Sequence, residues 1–182
     1  MYNRGVSKQE IFLDEDDYEV FLSLLKRYLG TEKLKKANRV KYPSYAEEVN
    51  LLAYCLMPNH FHLFLYQETA EGMTKLLKSV GVSYSMYFNR KYKHVGAVFQ
   101  QRYRAVRMSS EAQLIHISRY IHMNPKDYYH WKWSSLDYYL GRKEADWIHP
   151  ELFDQSTDYR AFLDEYVDRR EELSQLKDEL AG

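Results

Sequence analysis

The sequence predicts an α+β fold built on an antiparallel sheet, with a helical tail. Two observations carry this. First, two apolar stretches, Val49 to Leu56 and His60 to Tyr66, flank the turn signal Pro58-Asn59 and read as a hairpin. Second, single helical patterns separate this hairpin from the other extended segments, which favours an antiparallel arrangement over a doubly wound parallel sheet. A length of 182 residues suits one domain with a sizeable core plus a tail.

The elements follow in order. Asp14 caps a helix carrying Tyr18, Phe21, Leu22, Leu24, Leu25 and Tyr28, and Gly30 stops it. Glu32 to Glu48 is lysine-rich and polar and reads as a loop or short helix. After the hairpin, Glu71 to Tyr92 places Met73, Leu76, Leu77, Val80, Tyr84, Tyr87 and Phe88 at helical spacing, with Gly96 as its end. Ala97 to Met108 alternates as a strand would. Ser110 with Gln113 forms a capping box for a helix with Leu114, Ile117 and Ile121 on one face, stopped by Pro125. A short helix follows Ser134-Ser135, and Thr157 to Leu180 reads as a charged terminal helix. No repeat or low-complexity tract interrupts the chain.

Lys and Arg total 26 and Asp and Glu total 26, which on its face argues against a nucleic-acid binder. The distribution reverses that argument. Thr74 to Tyr120 holds nine basic residues against Glu111 alone, a net of +8, whereas Glu144 to Gly182 has a net of −8. The basic middle interleaves Tyr84, Tyr87, Phe88, Tyr92, Phe99 and Tyr103, cations for phosphates beside rings for bases. A charged helix face with its aromatics turned to the core has the same composition. Tyrosine is abundant, with 18 residues, and amphipathic core edges account for most of them. The single cysteine, Cys55, excludes an internal disulfide and a zinc ribbon and fits a reducing cytoplasm. The apolar run Val49 to Met57 is far too short to cross a membrane.

His60-Phe61-His62 is the sharpest chemical feature. Residues two apart on a strand share a face, so both imidazoles point one way and Phe61 the other. Such a pair can take a divalent cation if further ligands come from elsewhere, although a lone His-x-His is more often a pair of ordinary histidines. On the capped helix, Tyr120 and Asn124 are four apart at the border of the apolar stripe, where a helix meets the sheet it covers. Their hydroxyl and carboxamide are thereby expected at the histidines, with His116 one turn earlier a lesser candidate. A core-edge tyrosine and a helix C-cap before Pro125 are the plain alternatives.

Three ordered motifs, Met57-Pro58-Asn59-His60-Phe61-His62, Gly96-Ala97-Val98-Phe99-Gln100-Gln101-Arg102-Tyr103 and Arg119-Tyr120-Ile121-His122-Met123-Asn124-Pro125, resemble the REP-associated tyrosine transposases. These are single-tyrosine HUH transposases of small bacterial insertion sequences. The resemblance covers roughly Tyr2 to Leu140. It implies a ferredoxin-like antiparallel sheet with helices packed on one face. A catalytic domain is expected over 1–143, and the charge count sets off an acidic, mostly helical extension over 144–182, which the motifs do not explain. His60, His62 and Asn124 resemble the ligands of a Mg²⁺ or Mn²⁺ ion, and Tyr120 resembles the nucleophile. Family members bind hairpin-bearing, REP-like single-stranded DNA and cut it through a 5′-phosphotyrosine link.

Arg102, Arg104, Arg107 and Lys91 are then expected to hold the DNA backbone, with Tyr92, Phe99 or Tyr103 stacking bases. The chain is expected to be cytoplasmic and free of membrane contact, as a monomer or homodimer. A non-catalytic single-stranded nucleic-acid-binding regulator descended from a transposase remains the alternative. A small-substrate metal hydrolase leaves the +8 segment unexplained. Family members usually open with a strand just before the Asn3-Arg4-Gly5 segment, and here only Met1 and Tyr2 precede it. The expectation is therefore a truncated first strand or a substitute for it. For the acidic tail three roles stay open: packing on the basic surface, dimerisation, or solubility.

Overall fold

A computed structural model of the chain describes residues 1–31, 42–152 and 158–165. The hairpin forms as expected. Strand β2 (Val49–Met57) pairs antiparallel with β3 (His60–Gln67) across the Pro58-Asn59 turn. A short strand β1 (Tyr2–Arg4) pairs with the other edge of β3, so the sheet order is β1-β3-β2 and the histidine strand is central. The residues at which a truncated or substituted first strand was expected thus pair with the histidine strand.

Helix α1 (Glu15–Leu29) starts at a reciprocal capping box in which the Asp14 side chain accepts from the Asp17 N–H. It ends at Gly30, whose N–H bonds to the Lys26 carbonyl. Helix α2 (Gly72–Tyr92) ends at Lys93, which takes the left-handed conformation at φ 51°, rather than at Gly96. Helix α3 (Glu111–His122) opens at Ser110, whose side chain accepts from the Gln113 N–H. Short helices α4 (Leu136–Tyr139) and α5 (Tyr159–Asp164) follow. The helix expected over Thr157 to Leu180 is described only within α5, and its remainder lies outside the described residues, as do residues 32–41.

The helices divide between the two faces of the sheet instead of sharing one. Helices α1 and α2 bury Phe21, Leu25, Leu76, Val80 and Tyr84 against Phe61, Leu63 and Leu56. Helix α3 packs Ile117, Tyr120 and Ile121 against Ala53, Cys55 and Phe64 on the opposite face. Both faces of the hairpin must therefore be apolar, which is why Val49 to Met57 reads as an unbroken run. A register irregularity between Leu51 and Ala53 leaves Leu52 without a partner on β3. It changes the parity of β2: Leu51 faces α1 and α2, whereas Ala53 and Cys55 face α3. Leu114, expected on the buried stripe, is exposed.

Ala97 to Met108 does not form a strand. Its β-bridges to β1 and the residue after it are Gly5–Phe99 and Tyr2–Arg104. Between those bridges the chain takes three steps along β1 but five along its neighbour, so residues 100–103 bow outward. The outer edge of β2 is occupied as well: the Leu56 N–H donates to the Trp133 carbonyl, and the Ser135 and His149 N–H groups donate to the Tyr54 and Leu51 carbonyls.

The start of α1 and the end of α2 are joined by Asp17, which is fully buried. It accepts from the Leu13 N–H (2.7 Å), Tyr92 Oη (2.8 Å), Tyr87 Oη (2.9 Å) and Lys91 Nζ (2.9 Å). Lys91 also meets Asp14 at 2.6 Å, and this bond holds the Asp14 carboxyl below its usual range. Asp17→Ala removes the shared acceptor and strands several donors. A loss of about 3 kcal/mol in urea-unfolding free energy is expected, typical of breaking a buried charged pair from one side.

Candidate active site

The site is built on the central strand. His60 and His62 project to the α3 face while Phe61 turns to the other side and packs on Phe21 with ring centroids 4.8 Å apart. Pairing on both edges fixes them: His62 stands between Tyr2 and Cys55, and His60 between Arg4 and Met57. The imidazole centroids are 5.1 Å apart and nearly perpendicular. His62 is buried at 5% exposure, whereas His60 is only partly covered.

Helix α3 delivers Tyr120 to this face. Its ring stands edge-on to His62 at 5.5 Å between centroids. Burial pushes its phenol up to about 12, helped by the neighbouring Tyr2 and opposed by the charge of Arg4. Asn124 lies just past the end of α3, not within it, yet its Oδ1 comes to 3.3 Å from His60 Nε2. The other ring nitrogen of His60 meets Asn59 Oδ1 at 2.6 Å. The chain therefore brings Tyr120, His60, His62 and Asn124 together, as their spacing suggests. His116 instead stands 3.3 Å from an Arg119 Nη. Arg119 turns away from the histidines and lies over the Phe162 ring of α5, 3.7 Å from its centroid.

The expected DNA contacts divide. Arg102, Arg104 and Arg107 are exposed. Lys91 is enclosed by Asp14 and Asp17, so its charge is already matched within the fold and it does not fit the expected phosphate contact. Tyr92 donates to Asp17, and Phe99 packs on Phe61, which assigns both to the core edge rather than to base stacking. Tyr103 is half-buried, with its hydroxyl 2.8 Å from Thr74 Oγ1.

Three neighbours of the histidines went unread in the sequence. Tyr2 lies 5.5 Å from the His60 ring and 5.1 Å from the His62 ring, and the Arg4 guanidinium lies over Tyr2 at 5.2 Å. Both come from β1, nearly 60 residues before the histidines, and only strand pairing reveals them. Asn59, by contrast, sits in the motif itself, where its turn role masked its contact with His60.

Among the described residues no group of three or more His, Cys, Asp or Glu side chains could hold a metal, and no helix is long and apolar enough to cross a membrane. No curated protein and no solved structure matches the chain. The family model described as transposase IS200 like matches residues 26–124, just over half of the sequence. That span runs from the end of α1 through Asn124, taking in the histidine strand and the tyrosine helix together, and the chain belongs to the IS200-like transposase family.

Proposed function

We propose that this transposase cuts and rejoins hairpin-bearing single-stranded DNA through a 5′-phosphotyrosine link on Tyr120, assisted by Mg²⁺ or Mn²⁺. The convergence of Tyr120 with His60, His62 and Asn124 on one sheet face carries the reading.

The residues present fit a divalent cation. A neutral imidazole has one N–H. If His60 Nδ1 donates it to Asn59 Oδ1, the Nε2 lone pair faces Asn124 Oδ1, an arrangement of two donor atoms that a cation makes favourable. His60, His62 and Asn124 would hold the ion, leaving coordination positions for water and phosphate oxygens. When bound, it supplies positive charge that polarises the phosphoryl oxygens.

The chain's own groups do the rest. The Tyr120 phenol is protonated at neutral pH, so its proton must leave as the oxygen attacks phosphorus. The Tyr120 O–P bond forms, the P–O3′ bond breaks, and the 3′ oxygen departs and takes up a proton. One phosphoester replaces another at little change in bond energy, so a 3′-hydroxyl can reverse the step and rejoin the strand.

The test incubates the protein with labelled hairpin DNA and Mn²⁺ and looks for a covalent adduct on a denaturing gel. Wild type is expected to form it and Tyr120→Phe to form none. An adduct of undiminished yield in Tyr120→Phe, mapped by peptide sequencing to Tyr2, would overturn the assignment.

A further inference from the structure

The outward bow of residues 100–103 leaves a cleft of about 110 Å³ between that segment and β1. It is lined by Tyr2, Asn3, Arg4, Lys8, Arg102 and Arg104, and among the described residues no acidic side chain lines it. Four cations so placed repel one another, a cost that an anion in the cleft removes. Two further atoms ask for a partner. Tyr2 Oη and Arg4 Nε are buried and have no hydrogen-bond partner among the described residues. Donors left unmet are rare in folded proteins, and the adjoining cleft is where an acceptor can enter.

Register ties this cleft to the site. Arg4 stands opposite His60, and Tyr2 stands between His62 and Arg104, so the side chains of this cross-strand row share the histidine face. The Tyr2 phenol feels the positive charge of both Arg4 and Arg104, although burial still raises it overall.

We infer that the cleft binds a backbone phosphate of the DNA strand next to the one being cut, with Arg4 as its principal ligand. This rests on the proposed reading that single-stranded DNA is the substrate. Arg4 is thereby a positioning residue: by gripping a neighbouring phosphate it sets which phosphodiester lies before Tyr120. A guanidinium suits this role because its fork can meet two phosphate oxygens at once. The nearby Arg102 and Arg104 add charge at the rim, and the fold holds the cleft open through the Gln100 N–H to Arg4 carbonyl and Arg104 N–H to Tyr2 carbonyl bonds, both 2.9 Å.

The test measures binding of a fluorescein-labelled oligothymidylate by anisotropy in EDTA, over a range of salt, so that no cleavage chemistry is needed. Arg4→Gln is expected to weaken binding about tenfold at low salt and to reduce the slope of log K against log salt by about 0.7, the value for one lost single-strand phosphate contact. Arg4→Lys is expected to keep the slope and lose part of the affinity. Lys8→Gln, on an exposed side chain, provides a second variant should Arg4→Gln fail to fold, and its slope is expected to fall similarly. Arg142→Gln, remote from the cleft and paired with Asp137, is expected to bind as wild type does.

Unchanged slopes in folded Arg4→Gln and Lys8→Gln would overturn the site. Loss of inorganic-phosphate binding in Arg4→Gln, read by phosphorus NMR line width, with an unaltered DNA slope would identify a free-ion site and overturn the strand assignment. Failure of wild type to bind oligothymidylate at all would instead strike the proposed substrate.

Discussion

Replacing His60 with Ala or His62 with Gln is expected to lower metal-dependent cleavage by about three orders of magnitude or more while leaving single-stranded DNA binding within about threefold of wild type. A cation that stabilises charge on a phosphoryl group contributes several kcal/mol to the transition state, and about 4 kcal/mol corresponds to a thousandfold in rate. Phosphate contacts of the kind proposed for the exposed arginines would not depend on that ion, which is why binding and cutting are expected to separate. His60→Ala is the cleaner variant, since the ring is only partly covered. His62 is buried between the Tyr2 and Tyr120 rings, so its variant also loosens packing. Single-turnover cleavage in Mn²⁺, beside anisotropy in EDTA, makes both measurements. Equal loss of binding and cleavage would show that the histidines act through the fold and not through a cation.

The second large effect concerns stability in acid. His122 is fully buried on α3, with Nε2 2.6 Å from Ser135 Oγ and Nδ1 2.7 Å from Tyr159 Oη. Burial lowers its pKa to about 3 from an ordinary 6.5. The folded protein therefore resists a proton that the unfolded chain accepts. The resulting stability is fully present above pH 6.5 and is lost as the pH falls from there toward 3. Between pH 7.5 and 4.5 the loss from this group is about 2–3 kcal/mol. His122→Gln keeps a polar side chain without the titration. Urea unfolding of both proteins at the two pH values is expected to show wild type losing that much more than the variant. Equal losses would place the proton elsewhere.

The central hairpin, the α1 cap and the meeting of Tyr120 and Asn124 with the histidines were legible because each depends on local spacing or on a short motif. Strand alternation puts His60 and His62 on one face, and the Ser110 cap sets where the Tyr120 helix begins. The contribution of β1 was not legible. Tyr2 and Arg4 reach the histidines through a pairing whose energy lies in contacts distant along the chain, and nothing in three residues announces their partner. The basic middle was legible as charge but not as geometry. Lys91, Tyr92 and Phe99 have the composition of a nucleic-acid surface, yet one is held by Asp14 and Asp17, one donates to Asp17, and one packs on Phe61. Composition cannot tell a cation that faces solvent from one already matched inside the fold.

Leu52 has one more consequence. It is the residue of β2 that has no counterpart on β3, while Cys55 remains directly across from His62. A change of chain length at this point would be felt by Ile117 and Ile121, which share its cluster, and not by the alignment of the histidines with the strands beside them. The hairpin thus contains a place where insertions and deletions can be absorbed as packing defects, so that His60 and His62 stay in register with the strands beside them while the helix that carries Tyr120 readjusts.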